Sequence, residues 1–209
     1  MFSLQRTLGR DDEFCALFEA SAREAVNSVE TLRTALGNES SPPRLEGFVQ
    51  SRRRDKEITR QISDLLIHAL VVSLQREDIE ELAEALYKIP KTVEKFAERY
   101  LISYKQIGQF DFTRQLVLME EATKSIFEMM QAFRANAGVA EIKRLDARIQ
   151  RLENNADDVI LDLIEKLYEA AFPSLTAIIL KDLIELNEKV VDRCRDASGV
   201  IARIVIKNA

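Results

Sequence analysis

Apolar residues recur at intervals of three and four along nearly the whole chain, and few residues interrupt them. Over residues 11–36 they are Phe14, Leu17, Phe18, Ala25, Val29, Leu32 and Leu36, a spacing that puts one apolar stripe on an α-helix. Six Gly and four Pro in 209 residues leave few points at which such helices can stop. The pattern therefore predicts an all-α protein with strand content close to nil.

The breakers divide the chain into six long helices. Gly37, followed by Pro42 and Pro43, ends the first, because Gly tolerates the closing left-handed conformation and Pro cannot continue the hydrogen-bond ladder. The second is expected over residues 45–74 and the third from about 78 to 104, with a kink near Pro90 beyond which the helix continues. Gly108 and Asp111 mark the next boundary, and the fourth helix carries Phe112, Leu116, Met119, Ile126, Met129, Met130 and Phe133. The fifth, over residues 139–171, has Ile142, Leu145, Ile149, Leu152, Ala156, Ile160, Leu163 and Leu167, close to a heptad stripe. Phe172, Pro173 and Ser174 separate it from the sixth, over residues 174–206.

The two halves of the chain register when shifted by roughly 100 residues. Glu57-Ile58-Thr59 falls on Asp158-Val159-Ile160, and the run from Asp78 to Glu84 falls on the run from Asp182 to Glu188. Two tandem related three-helix bundles follow, residues 1–106 and 107–209.

Only the second half keeps carboxylates four apart on both of its later helices. Glu153 and Asp157 share one face of the fifth helix, and Glu188 and Asp192 share one face of the sixth. Like charges at this spacing repel. On facing antiparallel helices a bound cation would relieve the repulsion, and an all-oxygen set suits hard metals. The same residues equally suit a solvated flank of the apolar stripe. In the first half Arg52 falls on Glu153, Lys56 on Asp157 and Lys88 on Asp192, leaving Glu84 opposite Glu188. Such a set repels a divalent cation. Lys56 or Lys88 is expected to pair with Glu84 and stand in for the absent metal charge.

Enzymatic chemistry has little material here. The single histidine, His68, sits among Leu65, Leu66, Ile67, Ala69 and Leu70, so the paired Glu-x-x-His motifs of oxygen-activating di-iron bundles are missing. The glycines are isolated, which excludes a phosphate-cradling loop, and no serine or cysteine stands with a base. A net charge of -5 gives no general argument for nucleic acid. The cluster Arg52, Arg53 and Arg54 could meet phosphate, an acidic partner or lipid head groups, or could be a solvated face balanced by Asp55 and Glu57. Cys15 and Cys194 are expected to be buried thiols of a reduced chain. No apolar stretch approaches the ~20 residues needed to span a bilayer, so a cytoplasmic chain with at most peripheral membrane contact is expected.

The stretches Arg76-Glu77-Asp78-Ile79-Glu80-Glu81-Leu82, Leu152-Glu153-Asn154-Asn155-Ala156-Asp157 and, most specifically, Leu186-Asn187-Glu188-Lys189-Val190-Val191-Asp192-Arg193-Cys194 resemble those of PhoU-like regulators of phosphate transport. The resemblance covers almost the full length and is to the shorter, Pit-permease-associated accessory type. It implies two side-by-side three-helix bundles, metal held on Glu/Asp-x-x-x-Asp motifs (Fe, Mn, Mg, Ca or Zn), and control of phosphate uptake at the inner membrane face. Glu153, Asp157, Glu188 and Asp192 match those motifs. The implied protein is a non-enzymatic regulator that contacts a Pit-type permease, with homo-oligomerisation open. The alternative is a metal-independent helical scaffold or oligomerisation protein.

Overall fold

In a computed structural model that describes residues 2–37, 46–68, 74–107, 110–169 and 172–208, with side chains from residue 12 onward, the chain is a bundle of six helices. They are α1 (Phe2–Leu36), α2 (Glu46–His68), α3 (Arg76–Ile107), α4 (Thr113–Arg134), α5 (Val139–Glu169) and α6 (Ser174–Lys207). The described residues contain no strand. The first helix begins nine residues earlier than the apolar pattern predicts. The expected loop beyond Gly37, the end of the second helix, Gly108 and the end of the fifth helix lie outside the described residues.

The breakers act as their chemistry dictates. Glu77 and Asp78 occupy the first turn of α3, where acidic side chains complement the helix dipole. α3 runs on through Pro90. The Asp111 side chain accepts a hydrogen bond from the Thr113 backbone N–H at 2.8 Å, at the start of α4. At its other end Asn136, with φ 52°, turns the chain, and the Ala137 N–H closes onto the Ala132 carbonyl at 2.9 Å. Asparagine tolerates this left-handed conformation better than most residues.

α1, α2 and α3 pack on one another, as do α4, α5 and α6. The two trios join along two further seams, α1 against α4 and α3 against α6, and the α3–α6 seam is as extensive as that between α5 and α6. α1, α3, α4 and α6 thus form an inner layer, with α2 and α5 on its flanks. The sequence reflects this position. On α5 the buried positions Ile142, Leu145, Ile149, Leu152, Ala156 and Val159 alternate by three and four, a narrow seam. α6, touched by three helices, buries a broad face that includes Leu183, Ile184, Val190, Val191, Cys194 and Ile201. One continuous apolar core runs through both halves. Ion pairs lace its rim across the seams: Arg33 to Glu120 at 2.6 Å, Lys207 to Asp78 at 3.0 Å, and Arg99 to Asp182.

Gly47 marks the closest approach of α2 to α1. A methyl group there would lie 2.9 Å from the Thr31 side-chain methyl, so the helices could not keep this spacing with a larger residue. Cys194 is buried, as expected, and burial pushes its thiol far above the usual range. Cys15 is only half-buried.

Candidate metal centre

α5 and α6 pack as neighbours, and their seam fixes where the four predicted carboxylates stand. Leu152 and Ala156 face the core, which leaves Glu153 and Asp157 at its edge. On α6, Asn187, Val190 and Val191 are buried, and Glu188 and Asp192 are half-buried beside them.

Two of the four carboxylates, Glu188 and Asp192, are raised by their surroundings. Burial first, then the charges of Asp192 and Asp157, push the Glu188 carboxyl up to about 7. Asp192 is also raised, by burial first and then against the pull of Arg195, with Asp157 and Asp196 adding to the rise. Glu153 is turned aside, its Oε1 lying 3.4 Å from the Arg195 guanidinium. Among the described residues no three carboxylates, histidines or cysteines stand in a ligating cluster. The side chains are of a chemistry a hard cation accepts, because Asp157, Glu188 and Asp192 offer only negatively charged oxygens. The arrangement as it stands has not drawn them onto a common point.

The first-half positions behave differently. Lys88 pairs with Glu84 at 2.8 Å, one turn along α3, which holds the Glu84 carboxyl below its usual value. Lys56 is exposed. Arg52 reaches a residue outside the predicted set, Glu94, at 2.8 Å. The arginine cluster is therefore not balanced by Asp55 and Glu57. Arg54 donates to Glu24 on α1 at 3.0 Å, Glu57 pairs with Arg60 at 2.6 Å, and Asp55 is fully buried. Asp55 accepts from the Ser21 hydroxyl at 2.6 Å through one oxygen, while its Oδ2 has no partner among the described residues. Burial raises its carboxyl to about 6.

Sequence reasoning missed Asp55, Glu94, Gln115 and Asn187. Three of them were legible as polar residues on apolar stripes. Asp55 lies seven from both Phe48 and Ile62, and Asn187 lies three from both Ile184 and Val190. Gln115, four before Met119, is the third. Glu94 gave no such signal, because only its tertiary neighbour Arg52 gives it a role.

The fold is that of PhoU-like proteins of known structure. It superposes on the crystal structure of a PhoU-like protein from Shewanella oneidensis MR-1 with a TM-score of 0.60 at 15% identity, covering 96% of this chain and 99% of that one. The crystal structure of PhoU from Pseudomonas aeruginosa superposes with a TM-score of 0.55 at 14% identity, covering 98% and 97%. In sequence the chain is 24% identical, over 98% of its length and 97% of the relative's, to a Rhizobium meliloti (strain 1021) protein that carries the provisional name pit accessory protein. No family model matches the chain.

Proposed function

We propose that this protein is a non-enzymatic accessory regulator of inorganic phosphate transport that works at the cytoplasmic face of a Pit-type permease. The full-length likeness to a protein named as a pit accessory protein carries this reading, and the PhoU-like fold supports it. No described helix is long and apolar enough to cross a membrane, and in this reading the protein meets the permease peripherally. Apolar side chains near the α5–α6 connection offer a surface for it: Leu161, Tyr168, Leu175 and Ile178 are 67%, 71%, 62% and 66% exposed. Copurification with the permease tests the partner. Its loss in Leu175→Glu/Ile178→Glu, with the fold intact, is the expected result, and undiminished capture by that variant would place the contact elsewhere.

The regulatory site is a divalent or trivalent metal held by Asp157, Glu188 and Asp192, with Glu153 released from Arg195 to join them. The mutual repulsion of the first three supports it. Metal at one hundred times its dissociation constant would stabilise the fold by about 2.7 kcal/mol. Chelation is then expected to lower the melting temperature by about 5–10 °C, and the double variant Glu153→Ala/Asp192→Ala to contain no metal by elemental analysis. Metal retained undiminished in that variant would remove these residues from the site.

The pairing of Glu153 with Arg195 favours a second reading, a metal-independent helical scaffold or oligomerisation protein. Unchanged thermal stability on chelation, with no metal in the purified protein, would select it.

A further inference from the structure

The seam between α2 and α3 carries a surplus of positive charge. Arg52 and Lys56 are four apart on α2 and share a face, with Arg53 beside them, and Lys91 and Lys95 are four apart on α3. The Arg52–Glu94 pair at 2.8 Å and the bond from the Arg76 guanidinium to the Leu66 carbonyl at 3.1 Å set the two helices antiparallel. One turn along α2 from Arg52 therefore lies opposite one turn back along α3 from Glu94, which brings Lys56 to the turn that carries Lys91. Lys91 rests on the Tyr87 ring, its Nζ 5.5 Å from the ring centre. Charge on this seam is matched only underneath. Glu94 is buried and answers Arg52, and Glu84 takes Lys88. Arg53, Lys56, Lys91 and Lys95 are exposed, and none of them pairs with a carboxylate among the described residues. Glu57, next to Lys56, is spent on Arg60. With Arg52 and Lys88, six cations meet the three carboxylates of Glu84, Glu94 and Glu98.

The repeat shows that the surplus is particular to this half. In the register of the two halves Arg52 falls on Glu153, Lys56 on Asp157 and Lys91 on Arg195. In the second half Arg195 stands against the Glu153 carboxylate at 3.4 Å. Its counterpart Lys91 shares a seam with the cation Arg52 instead. The same place in the fold attracts cations in one half, and in the other it repels them and attracts anions.

We propose that the α2–α3 seam binds a phosphate group through Arg52, Arg53, Lys56, Lys91 and Lys95. Guanidinium groups present planar N–H donors that match phosphate oxygens, and ammonium groups add point charge around them. Glu94 already fixes the Arg52 side chain from below, so less freedom is lost when the anion arrives. The seam faces solvent, and its chemistry serves a free inorganic phosphate or the phosphate of an anionic lipid head group alike. The inference stands on the charges of the first half and depends on neither the metal site nor the permease contact proposed above.

The experiment has two arms on the full chain at fixed ionic strength and about pH 7.5. In one, inorganic phosphate is titrated and followed by phosphorus NMR. In the other, the protein is sedimented with vesicles of phosphatidylcholine, alone or mixed with phosphatidylglycerol. Wild type is compared with Lys56→Glu/Lys91→Glu, with Lys56→Arg/Lys91→Arg, and with Lys124→Glu/Lys143→Glu, which makes the same change in net charge at exposed positions of α4 and α5. All four side chains are exposed, so melting temperatures are expected to stay close to wild type. The seam reversal is expected to weaken phosphate binding by about tenfold or more, while the arginine variant and the α4–α5 reversal keep it. That pattern with inorganic phosphate identifies the free anion as ligand, and the same pattern only with phosphatidylglycerol vesicles identifies the lipid head group. Binding in neither arm overturns the inference. Equal losses in the two reversals also overturn it, because net charge and not this seam would then be what the phosphate meets.

Discussion

Arg52 reaches from α2 to Glu94 on α3, and along α3 Lys88 reaches Glu84, so these two cations of the first trio have each found an opposite charge. Between α5 and α6, Asp157, Glu188 and Asp192 crowd one another, and Arg195 both pairs with Glu153 and pulls on Asp192. The scaffolds are alike, and opposite charges meet at this edge of the first where like charges meet in the second. The pairing expected at Glu84 is made by Lys88, but Glu84 is two-thirds exposed there, and water screens such a pair. The stronger internal charge of the first half is the guanidinium of Arg52, because Glu94 is 6% exposed and burial raises its carboxyl more than Arg52 draws it down.

The largest test of this contrast removes the guanidinium. Arg52→Ala leaves Glu94 buried without its partner and is expected to cost about 2 kcal/mol, between the values for surface and buried pairs. Urea unfolding measures it. Glu153→Ala, the counterpart change in the second half, is expected to cost well under half of that without metal. Equal losses would mean that the two halves are held by charge in the same way.

Next in size is Asp55. Its folded carboxyl sits at about 6, above the ordinary 3.8, so its neutral form is favoured by folding. Stability from this group is full below about pH 4 and is lost as pH rises through 6. Asp55→Asn is therefore expected to stabilise the protein at pH 7.5 by on the order of 1–2 kcal/mol, with the gain vanishing near pH 4. A gain of equal size at both pH values would show that charge is not the cause.

Smaller again is Glu188→Gln in the metal-free protein. With the Glu188 carboxyl raised to about 7, apo stability falls as pH rises from about 4.5 through 7. The glutamine variant is expected to lose that slope and to gain up to about 1 kcal/mol at pH 8, discounted because the group is partly solvated. In the presence of metal the sign reverses, since the ionised carboxylate is the ligand. At the bottom of the scale, Lys88→Ala is expected to leave the melting temperature unchanged within error. A clear drop would restore Lys88 as a structural replacement for a metal charge.

Much of this was written in the chain. The intervals from Ile142 to Leu167 gave α5 and its narrow apolar stripe, and Pro173 and Ser174 gave the start of α6 to the residue. The carboxylate spacing also put Glu153 with Asp157, and Glu188 with Asp192, on single helical faces, because a 3.6-residue period fixes that without reference to any neighbour. The asymmetry between the halves needed only the alignment of one against the other.

What required the tertiary structure was every relationship between helices. Local sequence cannot say that Glu153 meets Arg195 or that Arg52 crosses to Glu94, since those distances depend on how α5 rolls against α6 and α2 against α3. Nor could it say that α3 and α6 join the two trios through one core, or that Gln115 and Asn187 come to face the same small cavity. Periodicity specifies which face of a helix is buried. Which polar groups share that burial, and whether their charges cancel or accumulate, is decided only when the helices pack.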